Sequence, residues 1–255
     1  MIFETTGTKE VARLFEKWQD TMVWSCLQGV MGRLYADARE TPKSAMAMLG
    51  DFCFFAGEPN RELAVYKPEG CKQDFIIMTA DSQEWFAMIE SVYRDNAKKV
   101  RRYAFRKEGM AFNREKLISY TEAIGAEYHL QMIDAKLFHY CREQKWSRDL
   151  VSLYADYDAY QKLGLGVVAL KDGEPVSGAS SYSRYQNGIE IQIDTKEAYR
   201  RRGLATACGA KLILACLDRG LYPSWDAQNL WSVGLAEKLG YTFDHEYTAY
   251  EIREY

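Results

Sequence analysis

The sequence predicts a fold of the α/β (α+β) class, with a mixed, mostly antiparallel sheet in its C-terminal half. Three apolar strand segments there are separated by Asp172-Gly173 and Asn187-Gly188, dipeptides that supply the positive φ angles of tight hairpin turns. A helical apolar pattern and a fourth apolar segment follow the third strand, which is the order of a crossover unit with two parallel strands. The weaker periodicity of the first half predicts a smaller or divergent α/β domain.

The composition is that of a folded globular protein. The 255 residues include 47% apolar and 27% charged residues, with 33 Lys and Arg against 36 Asp and Glu, so a disordered chain and a general nucleic-acid binder are both disfavoured. No apolar run approaches the roughly 20 residues of a membrane span. The first residues carry neither the basic nor the apolar region of a secretory signal. We therefore expect a cytoplasmic protein with no nucleic acid or membrane among its partners.

The cysteines and histidines predict neither disulfides nor a metal site. The six cysteines form no C-x-x-C pair, which is typical of reduced, buried thiols in a cytosolic chain. Cys208 and Cys216 lie in an apolar helical pattern that suits core packing. The three histidines lack the spacing of metal ligands, so we expect no metal.

The first half, residues 1–127, predicts a domain whose role the sequence does not reveal. Helical spacing of apolar residues is found over 11–18, 85–92 and 116–124, and short strands are predicted at 49–56 and 75–79.

A basic run over 98–107 has two interpretations. Cations interleaved with Tyr103 and Phe105 suit a nucleic-acid surface, whereas the same pattern is typical of a solvated helix end followed by a strand. The acidic net charge of the chain favours the second interpretation.

The second half, residues 128–255, carries the stronger patterns. A helix is predicted over 149–163 and strands over 167–170, 176–185 and 189–194. The third strand alternates isoleucines with Glu190, Gln192 and Asp194, which predicts one buried face and one polar face.

Three arginines, Arg200, Arg201 and Arg202, stand directly before Gly203, where a helix predicted over 203–219 begins. Cations are unfavourable at the positive end of a helix dipole unless an anion is held there, so the segment predicts a phosphate or diphosphate site. The spacing fits neither a P-loop nor a dinucleotide fingerprint. The competing interpretation is a solvated arginine cluster before an ordinary helix.

The string Arg200-x-x-Gly203-x-Ala205 resembles the Q/R-x-x-G-x-G/A signature of the GNAT N-acetyltransferase superfamily. Residues 225–232 and 236–241 are similar to the second helix of that family and to its ending, so the resemblance covers about 128–255. The sequences of residues 195–199 and 222–226 further resemble those of a bacterial subgroup of zwittermicin-resistance-like proteins. In that subgroup a divergent N-terminal half precedes the acetyltransferase half.

The resemblance implies a splayed sheet of GNAT type that binds acetyl-CoA. It implies that the cofactor is contacted by a set of residues from one strand, the following loop and helix start, and a later helix: Gln192, Ile193, Asp194, Arg200, Arg201, Arg202, Gly203, Leu204, Ala205, Thr206, Asn229 and Ser232. Asn229 is independently predicted as a helix N-cap, a role compatible with a cofactor contact.

For the chemistry, Glu190 is the first candidate for the general base, followed by Asp194 and Asp226. The general acid is an open question, because the position where many relatives carry tyrosine is Ala236. Ser232 as a proton relay, one of the tyrosines at 241, 247 and 250, or an unassisted thiolate are the alternatives. We predict transfer of an acetyl group to a primary amine of a small molecule. The alternative is a non-catalytic CoA-binding regulatory module. The acceptor and a homodimeric state are left open.

Overall fold

The computed structural model describes residues 1–107 and 112–255, which form thirteen strands and nine α-helices. Two compact units contain them: residues 1–102 with 246–255, and residues 103–245. The division predicted after residue 127 stays a prediction. The second compact unit begins earlier, at residue 103, because helix 114–122 packs on the long helix of that unit.

The first unit is built from short strands and helices in alternation. Its elements are β1 Phe3–Thr5, α1 Lys9–Leu14, α2 Thr21–Leu27, β2 Arg33–Ala36, β3 Ser44–Leu49, β4 Phe52–Gly57, α3 Arg61–Ala64, β5 Phe75–Ala80 and α4 Gln83–Tyr93. Strands β1 to β4 pair antiparallel in chain order, and β5 lies parallel to β4. Its core contains Trp85, whose ring stacks on Phe55 at 4.8 Å.

The second unit follows strand β6, Ala97–Phe105, whose last residues already belong to it. Its elements are α5 Arg114–Glu122, β7 Tyr128–Met132, α6 Ala135–Glu143, α7 Tyr157–Leu163, β8 Gly166–Lys171, β9 Glu174–Tyr185, β10 Gly188–Thr195, α8 Leu204–Leu217, β11 Tyr222–Ser224, β12 Asp226–Ala227 and α9 Leu230–Leu239. The last strand, β13 Phe243–Arg253, begins in the second unit, and its residues from 246 onward belong to the first. Strands β7 to β10 pair antiparallel, and β11 is parallel to β10. The predicted mixed α/β class is confirmed.

The two units repeat one order of elements. In each, a strand is followed by two helices, three antiparallel strands, a helix, a strand parallel to the one before it, and a last helix. The closing strand differs in origin: β13 pairs with β5 in the first unit, and β6 pairs with β12 in the second. Each unit also contains an ion pair with a distance of 3.7 Å: Lys43–Glu58 in the first unit and Glu174–Lys196 in the second. The lysine comes first along the chain in the first unit, and the glutamate comes first in the second.

Two predicted elements are wrong in their extent. The helix expected over 149–163 begins only at Tyr157, because Asp156 caps it through the Ala159 N–H and the preceding residues turn to bury Tyr154. The hydroxyl of Tyr154 lies 2.7 Å from the Ser181 hydroxyl. The strand expected over 49–56 is the end of β3, a turn at Gly50 and most of β4. Apolar residues continue through that turn and conceal it from the pattern.

The described helices and side chains also bear on two expected absences. None of the described helices has the length and apolar character that a membrane crossing requires. No group of three His, Cys, Asp or Glu side chains within 1–107 and 112–255 is arranged to hold a metal ion.

Candidate functional site

Strand β10 is paired on both sides at its start and on one side at its end. Its pairing with β11 covers Gly188 to Glu190, whereas its pairing with β9 continues to Thr195. The chain after β11 turns away, since Asp226 in β12 pairs with Ala104 in β6. Backbone groups of residues 191–195 on the β11 side therefore line an opening between the two strands.

The two faces of β10 differ in chemistry as the alternation predicts, but not in burial, because Glu190 is as buried as Ile191 and residues 192–195 are all half-buried. Ile189 and Ile191 join the core cluster that contains α8, and a Cβ on Gly209 of α8 would lie 3.2 Å from the Ile193 Cδ1 atom. The small residue at 209 lets the helix lie close to the strand. Glu190, Gln192 and Asp194 alternate with these isoleucines and so lie on the opposite face.

The helix that follows the opening begins without a side-chain cap. Eight of the nine α-helices in the described ranges have an N-cap side chain that accepts a hydrogen bond from the first turn. Helix α8 has Gly203 instead, at φ 80°. Its first-turn N–H groups carry the positive end of a 14-residue helix and are available to an external anion.

Gly203 is required for its backbone conformation and leaves space beside it. The left-handed φ is strained for any L side chain, and a Cβ built at this position would meet nothing within 4 Å. This open space lies at the N-terminus of α8, where an anion would approach.

The three arginines before Gly203 are exposed but differ in their contacts. Arg202 donates to the Tyr128 hydroxyl at 3.2 Å and to the Ala198 carbonyl at 3.1 Å. Arg201 has a left-handed φ of 60°, and its guanidinium lies 5.7 Å from the centre of the Trp231 ring. Burial raises the pKa of the Asp194 carboxyl, and the positive charge of the Arg200 guanidinium only partly offsets that rise.

Helix α9 places two polar residues in one cap. The Asn229 side chain accepts from the Ser232 N–H at 3.0 Å, so the predicted N-cap is confirmed. The Ser232 hydroxyl accepts a hydrogen bond of 3.1 Å from the Trp225 indole. Because that bond uses the oxygen lone pair, the hydroxyl proton of Ser232 remains able to donate.

Comparison with known proteins identifies the family. The GNAT acetyltransferase family model matches residues 12–250. The chain belongs to the GNAT acetyltransferase family. It is 29% identical over 259 residues to the uncharacterized N-acetyltransferase YdfB of Bacillus subtilis strain 168, covering 92% of this chain and 91% of that protein.

Solved structures agree in fold with this GNAT chain. A GCN5-related N-acetyltransferase-like protein from Streptococcus suis 89/1591 is 47% identical, with a TM-score of 0.91 over 97% of this chain and 98% of the other. A tandem GNAT protein from the clavulanic acid biosynthesis pathway shares the fold alone, at 9% identity and a TM-score of 0.51, over 100% of this chain and 98% of the other.

Two candidate carboxylates of this GNAT chain have different surroundings. Glu190 is 6% exposed and lies where β10 is paired on both sides. Asp194 lies at the open end, where burial raises the pKa of its carboxyl to about 6. The Asp149 carboxylate also raises this pKa, whereas the hydrogen bond from the Gln192 amide, at 2.8 Å, lowers it. Asp226, the third candidate, is half-buried in β12.

The alternatives for a general acid are narrowed by contacts. Ala236 is fully buried in the core, so the helix position where relatives carry a tyrosine faces packed side chains. Tyr241 donates its hydroxyl proton to the Pro223 carbonyl, and Tyr250 donates to Glu90 within the first unit. Tyr247 accepts from Arg102 at 3.3 Å in the same unit.

The basic run over 98–107 is engaged with carboxylates. Lys98 lies 2.9 Å from Glu251 and Arg101 lies 3.0 Å from Glu246. The pattern is therefore that of a strand whose outward cations form ion pairs, as the second interpretation predicts.

Five of the six cysteines, all but Cys71, are buried. Burial raises the pKa of the Cys208 and Cys216 thiols to about 12, and a thiol must ionise to attack. The predicted core role of both residues is confirmed by their burial.

Sequence reasoning missed Trp231, which stands beside the exposed Leu230, as a residue of this site. Both are exposed at the start of α9, although their apolar character reads as helix core. The sequence did contain a signal for their exposure. Both residues directly follow the N-cap and lie outside the buried face of α9, which is formed by Ala236 and Leu239.

Proposed function

We propose that this GNAT chain is an acetyl-CoA-dependent N-acetyltransferase that moves an acetyl group to a primary amine of a small molecule by direct transfer. The observation that carries the proposal is the uncapped N-terminus of α8 behind three arginines, beside the open end of β10. Acetyl-CoA supplies an acetyl thioester, which is activated for attack by an amine.

The residues present fit the diphosphate of this co-substrate. The N–H groups of Leu204, Ala205 and Thr206 provide donors at the positive end of α8, and Arg200 and Arg201 provide charge. The Gly203 position is open on the side where a Cβ would stand. Arg202, already held by Tyr128, orients the loop.

The open end of β10 suits the reacting thioester. Backbone N–H groups of Gln192, Ile193 and Asp194 that face the β11 side are candidates to donate to the carbonyl oxygen as negative charge develops. Asn229 and Ser232 are proposed to contact the arm that joins the thioester to the diphosphate. No acyl-enzyme is needed, which agrees with the high thiol pKa values.

Proton removal from the ammonium of the acceptor is assigned to a carboxylate on the polar face of β10. Glu190 remains the first candidate because it lies at the point where β10 and β11 diverge. Asp194, with a pKa of about 6, is the second. Four residues of strand separate them by about 13 Å, so one amine nitrogen contacts only one of the two.

Proton delivery to the leaving thiolate is assigned to Ser232. Its hydroxyl accepts from Trp225 and keeps a proton to donate. A serine is too weak an acid to be the proton's origin, so Ser232 is proposed as a relay from water.

The acceptor class follows from the charge near the opening. The carboxylates of Glu190, Asp194 and Asp149 favour a cationic amine. Residues 128–255 are proposed as the catalytic domain of a zwittermicin-resistance-like protein. Residues 1–127 are proposed as its divergent N-terminal domain, in which the elements from β1 to α4 repeat the order of those in the second unit.

The proposal is tested by release of free thiol from acetyl-CoA across a panel of small amines, with binding of acetyl-CoA measured separately by calorimetry. We expect micromolar binding and turnover that depends on the amine. Binding without turnover on any amine would favour the alternative, a non-catalytic CoA-binding module. Absence of binding would refute both.

A further inference from the structure

Two adjacent apolar side chains at the start of α9 are left in solvent. Leu230 is 69% exposed and Trp231 is 81% exposed. Apart from Met1, no other large apolar side chain in residues 1–107 and 112–255 is as exposed. Adjacent exposed apolar residues indicate a binding surface more often than isolated ones do.

The helix itself does not need these side chains. Asn229 already caps α9 through Ser232, and the buried stripe of the helix is formed by Ala236 and Leu239. The Trp231 side chain is therefore not part of the hydrophobic core of the second unit.

Trp231 does contact the loop that precedes α8. The Arg201 guanidinium lies 5.7 Å from the ring centre, within the range of a cation–π contact. Arg201 adopts a left-handed backbone conformation, uncommon for a residue with a side chain. This contact joins the first turn of α9 to the loop that provides the charge for a diphosphate.

We propose that the indole of Trp231 stacks on the adenine of coenzyme A. This proposal rests on the proposed function. Arg201 is proposed to provide charge for the diphosphate, so a group that contacts Arg201 lies close to that diphosphate. Coenzyme A extends from its diphosphate in two directions. The thioester arm enters the opening beside β10, so the nucleotide is the part left outside, where Trp231 presents an uncovered aromatic face. A purine is the part of the molecule with a complementary face.

The test measures acetyl-CoA affinity by calorimetry for the wild-type protein and for Trp231→Ala, Trp231→Phe and Leu230→Ala. Stacking of a base on an aromatic ring predicts a loss of about 5- to 150-fold for Trp231→Ala. Trp231→Phe should recover most of the affinity, because a ring is restored. Leu230→Ala is the matched control, because Leu230 is also largely exposed and is one residue away. It should change the affinity by less than about 3-fold. Melting temperatures should agree across all four proteins.

A second donor distinguishes the two ends of the co-substrate. Acetyl-pantetheine carries the thioester arm without the nucleotide, so its kcat/KM should be the same for the wild type and for Trp231→Ala. Equal losses with both donors would place the indole on the thioester arm and overturn the proposal. Unchanged acetyl-CoA affinity in Trp231→Ala would overturn it alone. A wild-type protein that binds no acetyl-CoA would instead overturn the proposed function, and this proposal with it.

Discussion

Replacing Gly203 with aspartate tests the proposed anion site at the N-terminus of α8. The substitution puts a carboxylate into the open space at the N-terminus of α8, where a Cβ would meet nothing within 4 Å. It competes with a bound diphosphate for the same N–H groups and repels its charge. We therefore expect a loss of acetyl-CoA affinity in a protein that still folds.

The magnitude follows from the bonds that are lost. Hydrogen bonds to a charged group contribute about 1.5–3 kcal/mol each, so two lost bonds predict about 3–6 kcal/mol, or roughly 10²- to 10⁴-fold in Kd. The left-handed φ of 80° costs an L residue about 1–2 kcal/mol. A negative charge at the helix N-terminus stabilises the folded protein by about 0.3–1 kcal/mol. The net cost to stability is therefore about 1 kcal/mol.

The assay is calorimetric titration with acetyl-CoA, together with thermal melting. Gly220→Asp is the matched control, because Gly220 has a left-handed φ of 66° and open space at the other end of α8. Gly203→Asn separates shape from charge and should lose less affinity than Gly203→Asp. Unchanged affinity in Gly203→Asp, or an equal loss in Gly220→Asp, would refute the assignment of the anion site.

Further predictions concern the carboxylates, the core and the number of sites. Glu190→Gln should lower kcat at least about 100-fold with little change in acetyl-CoA affinity; equal losses in both would speak against a base. The pKa of Asp194 is raised to about 6, so the folded protein loses stability as pH rises from about 4 to 6. Asp194→Asn should therefore raise the free energy of unfolding at pH 7.5 by about 1–3 kcal/mol, seen as a higher melting temperature, and leave it unchanged at pH 3.5. A difference that does not depend on pH would contradict this. Ala236→Tyr should lower stability by about 1–3 kcal/mol through overpacking, as read from urea unfolding; unchanged stability would show that the position is open. Titration should give one acetyl-CoA per chain, because β4 and β5 stay paired from Phe52 to Phe55 and α3 is capped by Asn60; two sites would disprove this.

The C-terminal half was predictable because its signals are local. Asp172-Gly173 and Asn187-Gly188 form their turns with little help from the rest of the chain, and the alternation in β10 follows from the pleat of a strand. Helices capped by their own neighbours, such as α9 after Asn229, were predictable for the same reason. The helix expected over 149–163 failed where the cap at Asp156 and the burial of Tyr154 overrode the apolar spacing.

The sequence by itself determined the strand with its polar face, the arginines before Gly203 and the family to which they belong, because these depend on residues adjacent in the chain. Only the tertiary structure decided that β11 leaves β10 after Glu190, that α8 lacks the cap its neighbours have, and that Ala236 faces the core while Trp231 faces solvent. The repetition of one element order in both halves also became visible only there. The physical reason is that strand pairing, burial and helix contacts join residues far apart in the chain, and such pairings leave no periodic trace in the sequence.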